Sequence, residues 1–292
     1  MTPNHILHLP CWTGEAVAEP LSGGLSNEIW KVTDTAGVHV ARIGPDYPVH
    51  HVSRAREARA ARAAHAAGFG PAVEYTAPGV MVTAFVGART WGPSDVAADP
   101  ARVAQFLQVF HRKMPLHVSG EASLFWVFHV IRDYARTLTD TCHAAPLPRF
   151  LTTSAVLETV QVPLPIIFAH NDLLPANFLE DAQRLWLIDY EYAAFSTPLF
   201  DLAGVASNAS MTPEQALILM EAYFGPALDD ALIRAFDAMH CAALLRETLW
   251  ALVSDLHLNA PGVDYAGYAQ DNLTRFEASL DAYQSKHGKI LP

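Results

Sequence analysis

No C-x-x-C pair, no Walker-type G-K-[ST] tripeptide and no H-E-x-x-H pattern occurs in this chain. Its 3 cysteines, Cys11, Cys142 and Cys241, are odd in number and widely spaced. They suggest neither a disulfide framework nor a zinc site, and a reducing compartment is the expectation. No run approaches the roughly 20 apolar residues that span a bilayer. The first residues, MTPNHILHLPCW, lack the basic start and apolar core of a secretion signal. A cytoplasmic protein with no membrane contact is therefore expected. Basic residues are scarce, 19 Lys and Arg against 30 Asp and Glu, for a formal net charge of −11. That balance argues against nucleic acid as a partner and favours cationic ligands. Charged residues make up only 17% of the chain while half is apolar, which suits a folded core. The 14 histidines form no ligand pattern, so a metallohydrolase is not favoured.

Two compositional regimes follow one another. Residues 17 to 86 read as short strands and turns around one Ala-rich helix. The runs Ile29–Val32 and Val38–Ile43, with a turn at Asp34–Gly37, signal a hairpin. Ser53 is the expected N-cap of a helix over Arg54–Ala67, stopped by Gly68. Residues 94 to 286 are mostly helical. Asp99-Pro100 starts one helix, Thr212-Pro213-Glu214-Gln215 is a capping box, and Ala231–Leu258 contains neither Gly nor Pro. Two lobes are expected, 1–86 and 87–292.

The chemistry is concentrated in Ile166–Tyr192. An apolar run ends in the polar loop His170-Asn171-Asp172, a short strand leaves at Asn177, and a second strand returns to Asp189. A hairpin of those lengths brings Asp189 back beside Asn177. Asp172, Asn177 and Asp189 then converge, and hard oxygen donors of this kind suit Mg²⁺ shared with substrate phosphates. Phosphoryl transfer needs a metal to neutralise the phosphates and a group to orient the attacking hydroxyl. Asp172 fits the base, Asn177 and Asp189 the metal, and Glu191 a further metal carboxylate. His170 fits a role in ordering the loop.

His170-Asn171-Asp172 with Asn177, Ile188-Asp189-Tyr190-Glu191-Tyr192-Ala193, and Phe200-Asp201-Leu202 together resemble the choline/ethanolamine kinase family. That family lies within the wider aminoglycoside-phosphotransferase and protein-kinase-like superfamily. The loop Ser22-Gly23-Gly24-Leu25-Ser26-Asn27 resembles the family's phosphate loop. The resemblance implies an α+β, two-lobed protein-kinase-like fold with ATP between the lobes, Mg²⁺ as its companion, and transfer to a small alcohol, an amino alcohol first among the candidates. It further implies nucleotide contacts from Ser22, Gly24, Ser26, Asn27 and Arg42, with Glu57 as the partner of Arg42. Thr83-Ala84-Phe85-Val86 resembles the hinge, so the Ala84 carbonyl and Val86 amide are expected to meet the adenine. By the same likeness Asp201 supports the catalytic loop and Tyr192 lies near a substrate ammonium. Where the family's animal choline kinases carry two tryptophans three apart, this chain has Glu247 and Trp250, and both are candidate acceptor contacts. Asn208 or Ser207 stands where the family has an acid. The aromatic box for a quaternary ammonium is thus incomplete, which leaves a primary amine, a thiamine-like alcohol, an aminoglycoside or another hydroxyl as acceptor. A non-catalytic nucleotide-binding module is the alternative class. Either a monomer or a homodimer is compatible with the sequence.

Overall fold

The computed structural model describes residues 4–21, 27–258 and 262–289. The short helix α1 (Asn4–Leu7) precedes strands β1 (Val17–Pro20), β2 (Glu28–Thr33) and β3 (Val38–Ile43). Helix α2 (Arg54–Ala67) follows, then β4 (Val73–Ala77) and β5 (Val80–Ala84). These five strands form one antiparallel sheet in the order β1-β2-β3-β5-β4. One face covers a small core of Ile6, Ala18, Trp30, Val32, Ala41 and Val82. The alternation of Trp30 and Val32 along β2 places both on that face, as a period of two requires.

The rest of the chain begins with β6 (Arg89–Thr90), α3 (Pro93–Ala98), α4 (Pro100–Lys113), α5 (Val127–Leu138) and α6 (Leu147–Thr159). Four three-residue strands then carry the chemistry: β7 (Ile167–Ala169), β8 (Phe178–Glu180), β9 (Leu185–Leu187) and β10 (Ala194–Ser196). Strand β7 pairs with β10, and β8 lies between β6 and β9. Helices α7 (Pro198–Asn208), α8 (Pro213–Phe224), α9 (Asp230–His257) and α10 (Tyr265–His287) complete the fold. Helix α9 packs against α5, α6, α7 and α10 at once. A helix enclosed on so many sides must be apolar over most of its surface, and between Ala235 and Ser254 all but Asp237, His240, Glu247 and Leu252 are buried.

Helix boundaries follow the expected signals with one exception. Asp99 accepts a hydrogen bond from the Arg102 amide at 3.0 Å, and Thr212 and Gln215 close the predicted box. Gly68 takes a left-handed φ of +87° and stops α2, a conformation that costs glycine nothing. Ser53, however, makes no capping bond. Asp46 does that work instead, its carboxylate accepting from the Arg54 amide at 2.7 Å. The loop before α2 folds back far enough to deliver a stronger acceptor than a hydroxyl, and one whose charge suits a helix start. No helix among the described residues is long and apolar enough to cross a membrane. The three cysteines are free.

One residue ties the turn before α2 to the helical part. His50 is buried, its Nε2 3.1 Å from the Ser254 hydroxyl on α9 and its Nδ1 3.4 Å from the Tyr134 hydroxyl on α5. Its ring also tilts against Trp250 at 5.4 Å. Burial, aided by the charges of Arg246, His257 and His51, pushes the His50 pKa down to about 3. The unfolded chain takes up this proton near pH 6.5, so between roughly 6.5 and 3 the unfolded state binds more protons. Stability at this site is therefore complete above pH 6.5 and falls as the pH drops through that window. Replacing His50 with Gln should flatten the acid limb of a plot of thermal midpoint against pH. Parallel curves for the two proteins would remove His50 from the explanation.

Candidate active site

The loop after β7 is set by one buried carboxylate. Asp201, 1% exposed at the start of α7, accepts from the His170 amide at 2.9 Å and from the Asn171 amide at 2.7 Å. His111 on α4 meets the same carboxylate at 2.8 Å and is itself 2.7 Å from the Tyr223 hydroxyl. Burial, the largest single influence, would raise the Asp201 pKa, but the bond and charge of His111 and the contacts of His170 together outweigh it and hold the group below its ordinary value. Asp201 thus sits where the resemblance puts a support for the catalytic loop. His111 and Tyr223, which back it, carry no motif and were not anticipated.

Asn171 adopts a left-handed φ of +61°, and its side chain donates to the Tyr192 carbonyl at 3.1 Å. His170 points away from any reacting position. Its Nε2 meets the Ile188 carbonyl at 2.9 Å, and burial lowers its pKa, so it acts as a neutral strut between loop and hairpin. The expected convergence follows from the β8–β9 pairing. The Ile188 amide bonds the Asn177 carbonyl at 3.1 Å, which brings Asp189 alongside Asn177. The Asn177 side-chain amide donates to the Asp172 carbonyl at 2.9 Å and leaves its oxygen as the free coordinating atom. Asp189, like Asn171, takes a left-handed φ, here +69°, a conformation Asp and Asn adopt more readily than other side chains.

Opposite this hairpin lies a network of charges that joins the sheet to it. Arg42 on β3 pairs with Glu57 on α2, and bonds Asp189 at 2.7 Å and Glu191 at 2.7 Å. Arg54, one turn before Glu57, bonds Glu57 at 2.8 Å, Glu191 at 2.9 Å and Asn27 at 2.5 Å. Asn27 in turn donates to Glu191 at 3.3 Å. The carboxamide of Asn27 presses against Gly44, where a Cβ would fall 2.4 Å from its oxygen, so only glycine allows that approach. Burial works against the Arg42 charge, but Asp189, Glu57 and Glu191 together raise its pKa. Glu191 moves up as well, from burial first and Asp189 second. Two guanidiniums face three carboxylates, so the site carries one uncompensated negative charge. Asp189, Glu191 and the Asn177 oxygen form a hard donor set that fits a small dication completed by phosphate oxygens and water. Among the described residues no three His, Cys, Asp or Glu side chains form a self-sufficient metal site.

The predicted hinge runs off the end of β5. The Phe85 amide bonds the Val38 carbonyl at 3.0 Å and the Val86 carbonyl accepts from Ala88 at 2.9 Å. The Val86 amide donates to nothing among the described residues, as an adenine contact would require. Ala84, whose own amide bonds the Ala72 carbonyl at 2.9 Å, is half-buried beside it. Ser22, Gly24 and Ser26 of the predicted phosphate loop lie outside the described residues.

Asp172 is half-buried, and desolvation pushes its pKa well above the carboxylate range against the pull of Arg246. It lines a small cavity with Ser207, Asn208, Ala243 and Glu247. Tyr192 is buried, and its hydroxyl accepts from the Trp250 indole at 2.9 Å. The sequence reading missed Arg246. It is 2% exposed, pairs with Glu247, and lies 4.6 Å over the Tyr192 ring. The Glu247 carboxylate, expected to receive a substrate cation, already has this internal one.

Comparisons with known proteins bear on the family and the fold. The family model for choline/ethanolamine kinase matches residues 18–221. A probable ethanolamine kinase of Arabidopsis thaliana is 29% identical over 288 residues, covering 86% of this chain and 76% of that protein. The crystal structure of a choline/ethanolamine kinase family protein from Mesorhizobium loti superposes with a TM-score of 0.78 at 29% identity, over 95% of this chain and 93% of that one. Choline kinase LicA from Streptococcus pneumoniae shares the fold, with a TM-score of 0.76 at 20% identity over 91% of this chain and 94% of that one. With its catalytic loop, its returning hairpin and 204 consecutive residues under one family model, the chain belongs to the choline/ethanolamine kinase family.

Proposed function

We propose that this small-molecule kinase transfers the γ-phosphoryl of ATP, with Mg²⁺, to the hydroxyl of an amino alcohol of the ethanolamine class. The observation that carries the reading is the gathering of Asp172, Asn177 and Asp189 at one end of the β8–β9 hairpin, directly opposite the Arg42–Glu57 pair. Phosphoryl transfer asks for that division of labour: a carboxylate beside the acceptor, oxygen donors at the metal, and a guanidinium on the phosphates.

Asp172 orients the acceptor hydroxyl and takes its proton. Its position, half-buried beside the cavity, suits a base whose charge is held in check until a substrate and metal arrive. Asn177 and Asp189 hold the metal, with Glu191 behind them. Arg42 is tied to Glu57, and its planar fork suits phosphate oxygens better than a lysine would. Bound Mg²⁺ supplies neutralisation of the phosphate charge. Arg54 shares Glu191 and Glu57 with Arg42 and fastens Asn27, the last residue of the phosphate-loop motif. It positions that loop without being part of any recognised motif. The acceptor class is supported by the acidic cavity around Asp172, by the family and by the net charge of −11.

ADP release with ethanolamine and Mg²⁺ is the direct test. Asp172→Asn should lower kcat by roughly 10²–10⁴-fold, the span of general-base contributions, with the thermal midpoint nearly unchanged. Asp189→Ala should abolish turnover at any Mg²⁺ concentration. Undiminished turnover in that variant would show the metal assignment to be wrong. A stable protein that binds ATP yet yields no ADP with any alcohol would instead favour a non-catalytic module.

Arg54→Met should raise KM for ATP about tenfold, the worth of one lost charge-assisted bond, and change kcat less. An equal fall in kcat with unchanged KM would place Arg54 with the chemistry instead of the phosphate loop.

A further inference from the structure

Arg246 is among the most deeply buried charges in the helical part of the chain, and its neighbour in the chain, Glu247, lines the cavity beside Asp172. It ranks first among the largest fully buried side chains. Its guanidinium stands 4.6 Å from the Tyr192 ring centroid, well inside the range of cation–π attraction. Around that ring are Trp250, bonded to the Tyr192 hydroxyl at 2.9 Å, and Tyr268, 6.1 Å from Trp250 and nearly perpendicular to it. The open face of an aromatic ring is the chemistry that recognises quaternary ammonium ions, and on Tyr192 that face is taken. Here the positive group belongs to the protein.

The nearby carboxylate is spent in the same way. Glu247 gives one oxygen to Arg246 and the other to the Tyr268 hydroxyl at 3.2 Å. A trialkylammonium head would need the ring face that Arg246 covers, and would bring a second positive charge against a buried one. It would also offer no N–H to the other side of the cavity. There Asn208 donates its amide to the Leu173 carbonyl at 3.2 Å, which leaves its side-chain oxygen as an acceptor in the cavity wall. That oxygen suits a head that donates hydrogen bonds.

We propose that Arg246 is a resident cation filling the aromatic seat beside Asp172, so that the site excludes quaternary ammonium alcohols and takes acceptors whose heads carry N–H or O–H donors. The inference rests on the reading of the Asp172 cavity as the acceptor site. Arg246 is thereby a specificity-determining residue, acting by occupying space and charge and taking no part in phosphoryl transfer.

Tetramethylammonium, which has the head and no hydroxyl, tests this without requiring turnover. Calorimetric titration of the wild type should show no saturable binding, while Arg246→Met, checked for a cooperative thermal transition, should bind it at least about tenfold more tightly. Saturable binding to the wild type as tight as to the variant would overturn the proposal. So would a folded Arg246→Met protein with no gain. Should that variant fail to fold, Arg246→Gln is titrated in its place, and the wild-type titration alone still overturns the proposal if it saturates. ADP release with ethanolamine is read separately: its absence removes the amino-alcohol reading and leaves the tetramethylammonium result standing.

Discussion

Arg42 is the point through which the two halves of the site are joined. Its guanidinium reaches Glu57 on α2, Asp189 at the end of the β8–β9 hairpin and Glu191 two residues on. Among the described residues no other side chain links β3, α2 and Asp189 at the end of the hairpin in a single group. Its burial makes the arrangement demanding, since a desolvated charge is tolerated only with partners on every side. Three carboxylates supply them, and Arg54 restores part of the balance. The same carboxylates are the ones a metal would need. Under the proposed function, entry of a metal–nucleotide complex would redistribute bonds already present in place of creating a site from nothing.

The organisation around Asp201 follows a similar logic at the other end of the loop. A carboxylate with no solvent contact fixes two consecutive backbone amides, and His111 and Tyr223 fix the carboxylate. The backbone of residues 170 and 171 is thus held by side chains, since β7 has already ended. That frees the following residue, Asp172, to face a cavity in place of a strand neighbour.

Much of this was legible in the residues. The hairpin of Ile29–Val32 with Val38–Ile43 follows from strict alternation, and the β8–β9 turn follows from two short apolar runs around Glu180–Arg184. The catalytic loop was legible because its polar residues interrupt an apolar strand at fixed spacing. Arg54 and Arg246 were not. Arg54 stands among Arg56, Arg59 and Arg62 on an Ala-rich helix, and little in the sequence separates the half-buried Arg54 that meets Glu191 from the exposed Arg59 and Arg62. Its one sequence signal was its spacing of three from Glu57, which puts both on the same face. Arg246 carried a better signal: it stands between residues 241–245 and 248–251 of α9, a stretch that is apolar on nearly every side, so a charge there is drawn inside. The Ser53 cap failed because capping was settled by Asp46, a residue eight positions from the Arg54 amide it accepts from.

The inward face of α2 is built from Ala58, Ala60, Ala61, Ala63 and Ala64. Methyl groups fill little space and interlock with nothing, so packing alone gives this helix a smooth bearing surface and little resistance to sliding. What arrests it is Glu57, gripped from two sides by Arg42 and Arg54. The axial setting of α2 thus rests on polar ties, with Arg56 bonding Ser123 at 3.0 Å and Arg62 bonding Thr76 at 2.7 Å alongside Glu57, more than on interlocking side chains.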